Sequence, residues 1–281
     1  MVGLFIGLPL IASMFYSVTN FELTSQKMEW VGLGNYVDLL VSDGTDAGTF
    51  RAALNHTFRF AVVSVLIELL LGFALALLLN RVARFGGLVR TLLVMPIMIA
   101  PTVSALQWRW ILDPDNGILN FIGTRLGMLA SPQLWLIQPQ AAFWALVLVD
   151  VWQTTPFVLL FLLAGLQSLP SEPFEAARVD GASGCQLFRH LTLPLLRPVI
   201  LSVLLLRFMD AFRIFDISYV LTRGGPAYAT DMVSIYTYRV GLQWFEIGKA
   251  SAAATVTLII IAACAVLFIL GLGRRTAEAR I

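Results

Sequence analysis

Glu175–Pro198 reads EAARVDGASGCQLFRHLTLPLLRP, a polar and charged stretch between two long apolar runs. A segment of this kind in so apolar a chain belongs in water, and its length implies something in the water that binds it. Ser171 can cap a helix start, and Pro173 falls in the first turn, where a missing N–H costs little. Glu175 to Ala182 then predicts a short helix with small alanine faces, ended by Gly181 and Gly184. A second amphipathic piece, Gln186 to Leu191, leads to Pro194 and back into the membrane. The plainer reading is an ordinary loop with a Glu175–Arg178 pair at i,i+3, worth a few tenths of a kcal/mol.

The flanking runs set the fold class. Over 281 residues the chain is 58% hydrophobic and 13% charged, with a mean hydropathy of +0.83, far too apolar for a soluble domain. The net charge of +2 and the lack of a basic stretch argue against nucleic acid. Two cysteines, Cys185 and Cys264, make neither a disulfide framework nor a metal-ligand spacing. The opening VGLFIGLPLIASMFY lacks a basic n-region and a small-residue cleavage site, so it reads as a retained membrane helix.

Six runs, near 2–19, 57–79, 90–112, 141–163, 198–222 and 250–272, are long enough to cross roughly 30 Å of hydrocarbon as helices. The expected fold is all-α and integral to the membrane. Pro9, Pro96, Pro101 and Pro156 lie inside these runs, where neighbouring helices can satisfy the freed carbonyls. Arg81, Arg84, Arg90, Arg178, Arg189, Arg197, Arg274, Arg275 and Arg280 fall on one side, in short loops and the tail. Lys27, Arg51, Arg125, Arg223, Arg239 and Lys249 fall on the other, diluted over longer loops. This bias puts the 164–198 loop and both termini in the cytoplasm.

The loop resembles, nearly position for position, the EAA loop of permease subunits of binding-protein-dependent ABC importers, with the pattern EAA…DGA…F…LP…P. VDVWQTTPFVLLFLLAGLQSLPSEPFEAARVDGA (residues 149–182) is similar to the fourth helix and coupling loop of the sugar-permease branch. FDISYVLTRGGPAYATDMVSIYTYR (215–239), with its LTxGGP pattern, fits the same branch, as do WVGLGNYVDLL (30–40) and DPDNGILN (113–120). The resemblance implies a type I importer permease fold: a first helix and extracytoplasmic loop over 1–53, a permease domain over 54–272 and a cytoplasmic tail over 273–281. It also implies a bacterial-type inner membrane and a second permease subunit completing a heterodimer. Two ATPase subunits that hold the ATP and an extracytoplasmic solute-binding protein would complete the machine. The chain has no GxxxxGK[ST] of its own, no catalytic motif and no expected cofactor. On this resemblance Glu175, Ala176, Ala177, Asp180, Gly181, Ala182, Phe188 and Pro194 form the surface that couples to the ATPase. A rival account has Glu175 and Asp180 holding only the loop's own fold.

Ionisable residues inside spanning helices point to a pathway. Arg207, Asp210, Arg213 and Asp216 recur every third residue with alternating sign, Arg207 and Asp210 lying deeper. Asp150, Gln153, Thr154 and Phe157 share one face of the fourth helix. A carboxylate, an amide, a hydroxyl and a ring suit a sugar's hydroxyls and C–H faces. In maltose-type members the contacts come from these two helices, and the matching fifth-helix positions are Arg207, Asp210, Ala211 and Ile214. Asp150, Ala211 and Ile214 stand where those members carry asparagines, a departure that speaks against maltose itself. The alternative for Asp150 is a pairing with Arg207 or Arg213 that only neutralises charge between packed helices. Glu68 is expected to pair with Arg109 or Arg59. A neutral sugar or sugar alcohol is the expected solute; a glycerol-phosphate-like one is the runner-up, and a proton-driven secondary transporter using Glu68, Asp150 and Asp210 is the remaining alternative.

Overall fold

The computed structural model describes residues 2–81 and 86–276. Arg84, Arg280 and both chain ends, on which the topology argument draws, lie outside them. Every regular element among the described residues is helical, apart from one isolated antiparallel bridge between Thr19 and Trp30. Four helices are long and apolar enough to cross a bilayer, five if one bent pair counts as a single span.

The first helix, α1 (Val2–Ser17), is shorter than these. Its end is tied down by Asn35 of α2 (Gly34–Leu40), whose amide donates to the carbonyls of Ser17 and Thr19 at 2.9 and 2.8 Å. The next helix, α3 (Thr45–Arg81), runs 37 residues without a proline. At about 1.5 Å per residue it exceeds the hydrocarbon thickness, so it extends well before the expected start at residue 57.

The run expected to cross as one helix at 90–112 is broken. α4 (Gly86–Val94) and a 3-10 turn (Met95–Met98) meet α5 (Pro101–Ile111) at a bend of 96°. The cause is local: Ile99 and Ala100 are extended, and a residue preceding proline is pushed out of the helical region. A short α6 (Ile118–Arg125) precedes α7 (Pro139–Gln167), the most buried of the spans.

The polar stretch folds as α8 (Glu172–Val179) and a second helix that does not stop at the membrane. α9 (Gly184–Leu187), a π-turn (Phe188–Thr192) and α10 (Leu193–Phe212) form one continuous span from Gly184 to Phe212. The wider π-turn carries the chain past Pro194, which has no N–H to give to a regular helix. The run expected at 198–222 therefore begins earlier and ends earlier. After Phe212 the chain turns and restarts as α11 (Asp216–Thr222), followed by α12 (Val233–Tyr238) and α13 (Ile247–Thr276).

Packing centres on α7, against which α3 makes its most extensive contact. Gly72 permits the approach: a Cβ there would come within 2.7 Å of a Val158 methyl group and 3.1 Å of the Leu159 nitrogen. Gly165 serves α10 in the same way, against a Leu196 methyl group at 2.9 Å. One apolar cluster, with Phe50, Phe60, Leu146, Phe212 and Tyr236, fills one end of the bundle. A second, with Ala76, Leu159, Leu162, Leu196 and Val203, fills the other. By contrast, α13 keeps most of its surface uncovered. Gly72→Leu is expected to overpack the α3–α7 seam by about 1–3 kcal/mol. A lower thermal-unfolding midpoint of the detergent-purified protein, relative to Gly48→Leu on the same helix, checks it, since a side chain at Gly48 would meet open space.

Candidate functional site

The two apolar clusters are separated by charge. Arg207 on α10 lies against Glu68 on α3, Nε to Oε2 at 2.6 Å and Nη2 to Oε1 at 2.9 Å, a two-pronged ion pair. The same guanidinium donates to Asp150 on α7 at 3.2 Å. All three side chains are almost wholly buried. Glu68 thus pairs with Arg207 and not with Arg59 or Arg109; the Arg59 guanidinium lies over the Phe143 ring instead. The row continues outward: Arg207 reaches Asp210 at 4.0 Å, and Asp210 holds Arg213 at 2.7 Å, these last two 47% and 68% exposed.

The fourth-helix face is occupied within the chain. Gln153 donates to the carbonyl of Ile99 at 2.9 Å, the acceptor freed where the chain breaks before Pro101. Its own carbonyl oxygen is buried without a partner. Thr154 bonds back to the Asp150 carbonyl, and Phe157 packs against Phe161 with the rings tilted by 40° and 4.5 Å apart. Ala211 and Ile214 are buried in the first apolar cluster. Of the eight side chains singled out along the two helices, the structure joins Asp150, Arg207 and Asp210 into one network and leaves Asp210 the most exposed polar member. Asp216 opens α11 and stands outside that network.

The 175–198 stretch is a platform. α8 is exposed along its length, with Glu175, Ala176 and Asp180 in the open and Ala177 half-buried. Its end is a Schellman turn: the Ala182 N–H reaches the Ala177 carbonyl, the Gly181 N–H reaches that of Arg178, and Gly181 sits at φ +83°. Ser183 and Gln186 then form a reciprocal capping box that starts α9. The S-x-x-Q spacing is readable in the sequence, though it did not enter the sequence argument. Phe188 anchors the platform edge-on against Phe73 of α3 at 5.6 Å. Pro194 lies exposed at the start of α10. A groove of about 730 Å³ runs under the platform between Leu77, Leu169, Phe174 and Phe188.

On the opposite end the LTxGGP stretch is knotted by its own hydroxyls. Thr222 and Thr230 share a hydrogen bond of 2.6 Å, and Thr230 donates to the Gly225 carbonyl. Asp231 lies buried against Arg239 at 2.5 Å, close enough to Gly224 to exclude a Cβ there. Burial pushes the Asp231 carboxyl above its usual range, and the Arg239 guanidinium pulls it back.

Arg207→Met would strand two carboxylates in a dry interior, so it is expected to cost about 3–5 kcal/mol. Adding Glu68→Gln and Asp150→Asn should recover part of the loss. Unfolding of the detergent-purified proteins measures both; equal stability of Arg207→Met and the parent chain would remove the three-helix clamp from the account.

The comparisons with known proteins agree with this architecture. The profile of the family described as "Binding-protein-dependent transport system inner membrane component" matches residues 61–277. The trehalose/maltose transport system permease protein MalF of Thermococcus litoralis is 39% identical over 260 residues, 92% of this chain and 86% of that one. The trehalose transport system permease protein SugA of Mycobacterium tuberculosis (strain ATCC 25618 / H37Rv) is 37% identical over 246 residues, 88% of this chain and 76% of that one. Among solved structures, a chain of a bacterial ABC transporter involved in the import of the acidic polysaccharide alginate superimposes with a TM-score of 0.81. It is 25% identical, with 97% of this chain and 91% of that one covered. The chain therefore belongs to the family of binding-protein-dependent transport system inner membrane components, as an ABC transporter permease, a membrane subunit and not an enzyme.

Proposed function

We propose that this permease forms half of the translocation path for a sugar or sugar alcohol, driven by a separate ATPase through the 175–198 loop. The observation that carries the coupling role is the platform itself. A glycine-closed helix stands clear of the bundle, and after its closing turn a second helix runs from Gly184 unbroken into the span that bears Arg207 and Asp210. At about 1.5 Å per residue this is one lever of roughly 40 Å. A partner that grips α8 and the start of α9 would move this lever through the turn that joins them. The sugar reading is supported by the names of the trehalose and trehalose/maltose relatives.

In this reading the assembly holds a second, non-identical permease, two ATPase subunits that bind the ATP, and an extracytoplasmic binding protein that delivers solute. The permease domain spans 54–272, and both termini and the tail lie in the cytoplasm. Glu175, Ala177 and Asp180 meet the ATPase, with Gly181 and Ala182 shaping the turn beside them. ATP-bound closure of the ATPase favours the outward-open permease only insofar as this contact differs between the two states. The runner-up, a glycerol-phosphate-type importer, would use Arg213 as the anion's donor. Asp210 beside it blunts that field.

Gly181→Asp is expected to leave the complex assembled and uncouple ATP hydrolysis from uptake. A side chain there meets no atom of this chain, although φ +83° strains any L-residue. Gly181→Asn, which meets the same backbone without the charge, should retain more coupling; normal uptake by Gly181→Asp at normal expression would dismiss the docking role. ATPase activity of the complex, reconstituted with its binding protein and screened against neutral sugars, polyols and glycerol 3-phosphate, tests the substrate class. Stimulation by a neutral compound alone is the expected result, and stimulation by the phosphate ester alone would favour the runner-up.

A further inference from the structure

We infer that a notch between the outer end of α10, α12 and α13 is a hydroxyl-binding subsite of the path, built by Arg213, Ser234, Thr237 and Thr257. This inference rests on the sugar-permease reading above. The notch encloses about 360 Å³, within the size range of small-ligand pockets. Arg213 and its partner Asp210 are both exposed at the end of a spanning helix. Ionisable side chains at this depth face water or protein, because hydrocarbon penalises them by several kcal/mol. The wall carrying them is thus a water- or protein-facing surface, which we assign to the path, in contrast to Asp150 and Arg207, which are sealed inside.

The chemistry of the wall is directional. Ser234 donates its hydroxyl hydrogen to the Ile214 carbonyl, which the chain break after Phe212 leaves free. Thr237 and Thr257 donate theirs to the carbonyls of Val233 and Ala253, each at 2.8 Å. With its one hydrogen committed, each hydroxyl presents oxygen lone pairs to the notch. Arg213 presents guanidinium N–H donors. The ligand that matches is one whose groups both donate and accept: a polyol. Met209, Leu258 and Ile261 supply apolar wall for the C–H face of its ring. Thr257 stands ten residues into α13, about 15 Å from the helix start, so the subsite reaches from the outer end of α10 into the span.

The test uses cells carrying the assembled transporter and radiolabelled trehalose, maltose and sorbitol. Thr237→Val and Thr257→Val keep side-chain shape and remove the oxygen; each is expected to raise the KM for uptake about three- to tenfold, the worth of one hydrogen bond. Thr255→Val, whose hydroxyl bonds back along α13 without lining the notch, should leave the KM alone. Thr257→Cys, in a chain with Cys185→Ser and Cys264→Ser, should react with a membrane-impermeant thiol reagent, and saturating sugar should protect it. If the parent imports none of the three compounds, the sugar reading fails and takes the subsite with it. If the parent imports one, with an unchanged KM in both valine variants and no protection of Thr257→Cys, the subsite is wrong and the sugar reading stands.

Discussion

Arg207 is held between Glu68 and Asp150 at the level where the two apolar clusters meet, and the arrangement of α3, α7 and α10 depends on that contact. A lone guanidinium or carboxylate in a dry interior would cost several kcal/mol, so none of the three positions can be vacated independently. Apolar seams tolerate sliding by part of a turn; a two-pronged hydrogen-bonded pair of 2.6 and 2.9 Å does not. The clamp therefore sets the register of three helices at once. Gly72 and Gly165 let the same helices approach closely on one side of it. The helix leaving the clamp in one direction runs into the 175–198 platform, and in the other it ends at the exposed Asp210–Arg213 pair.

Both helix breaks near the site are closed by side chains from other elements. The Ile99 carbonyl, freed before Pro101, receives the Gln153 amide, and the Ile214 carbonyl receives the Ser234 hydroxyl. In a bilayer an open carbonyl has no water to bind, so each bend requires such a donor. This accounts for the buried glutamine on α7. It also separates polar residues that complete the fold from those left facing a cavity. Asp150, Gln153 and Arg207 belong to the first kind by their contacts, and Arg213, Thr237 and Thr257 to the second.

Much of the fold was legible from local pattern. Apolar runs of spanning length marked α3, α7, α10 and α13, and glycine at 181 marked the end of α8 because only a residue at ease at positive φ closes a Schellman turn. Pro101 falls inside the third run, which was expected to cross as one helix and instead bends by 96°. The halt after Phe212 had no such mark: residues 199–222 contain neither proline nor glycine. There the turn is made by Ser234 and by the packing of α11 against α5, contacts that no window of sequence contains.

Composition, spacing of apolar residues and turn chemistry determined by themselves that this chain is a helical membrane protein with a polar platform at Glu175–Pro198, because those signals act within a few residues of one another. Only the tertiary structure decided which charges meet. Glu68 and Arg207 are 139 positions apart and Asp150 and Arg207 are 57 apart. Alternating signs along one helix suggest pairing with near neighbours, yet burial rewards whichever opposite charge the packing brings into hydrogen-bond range. For Arg207 that was a carboxylate on another helix, and Asp210 was left for Arg213 and the cavity beyond it.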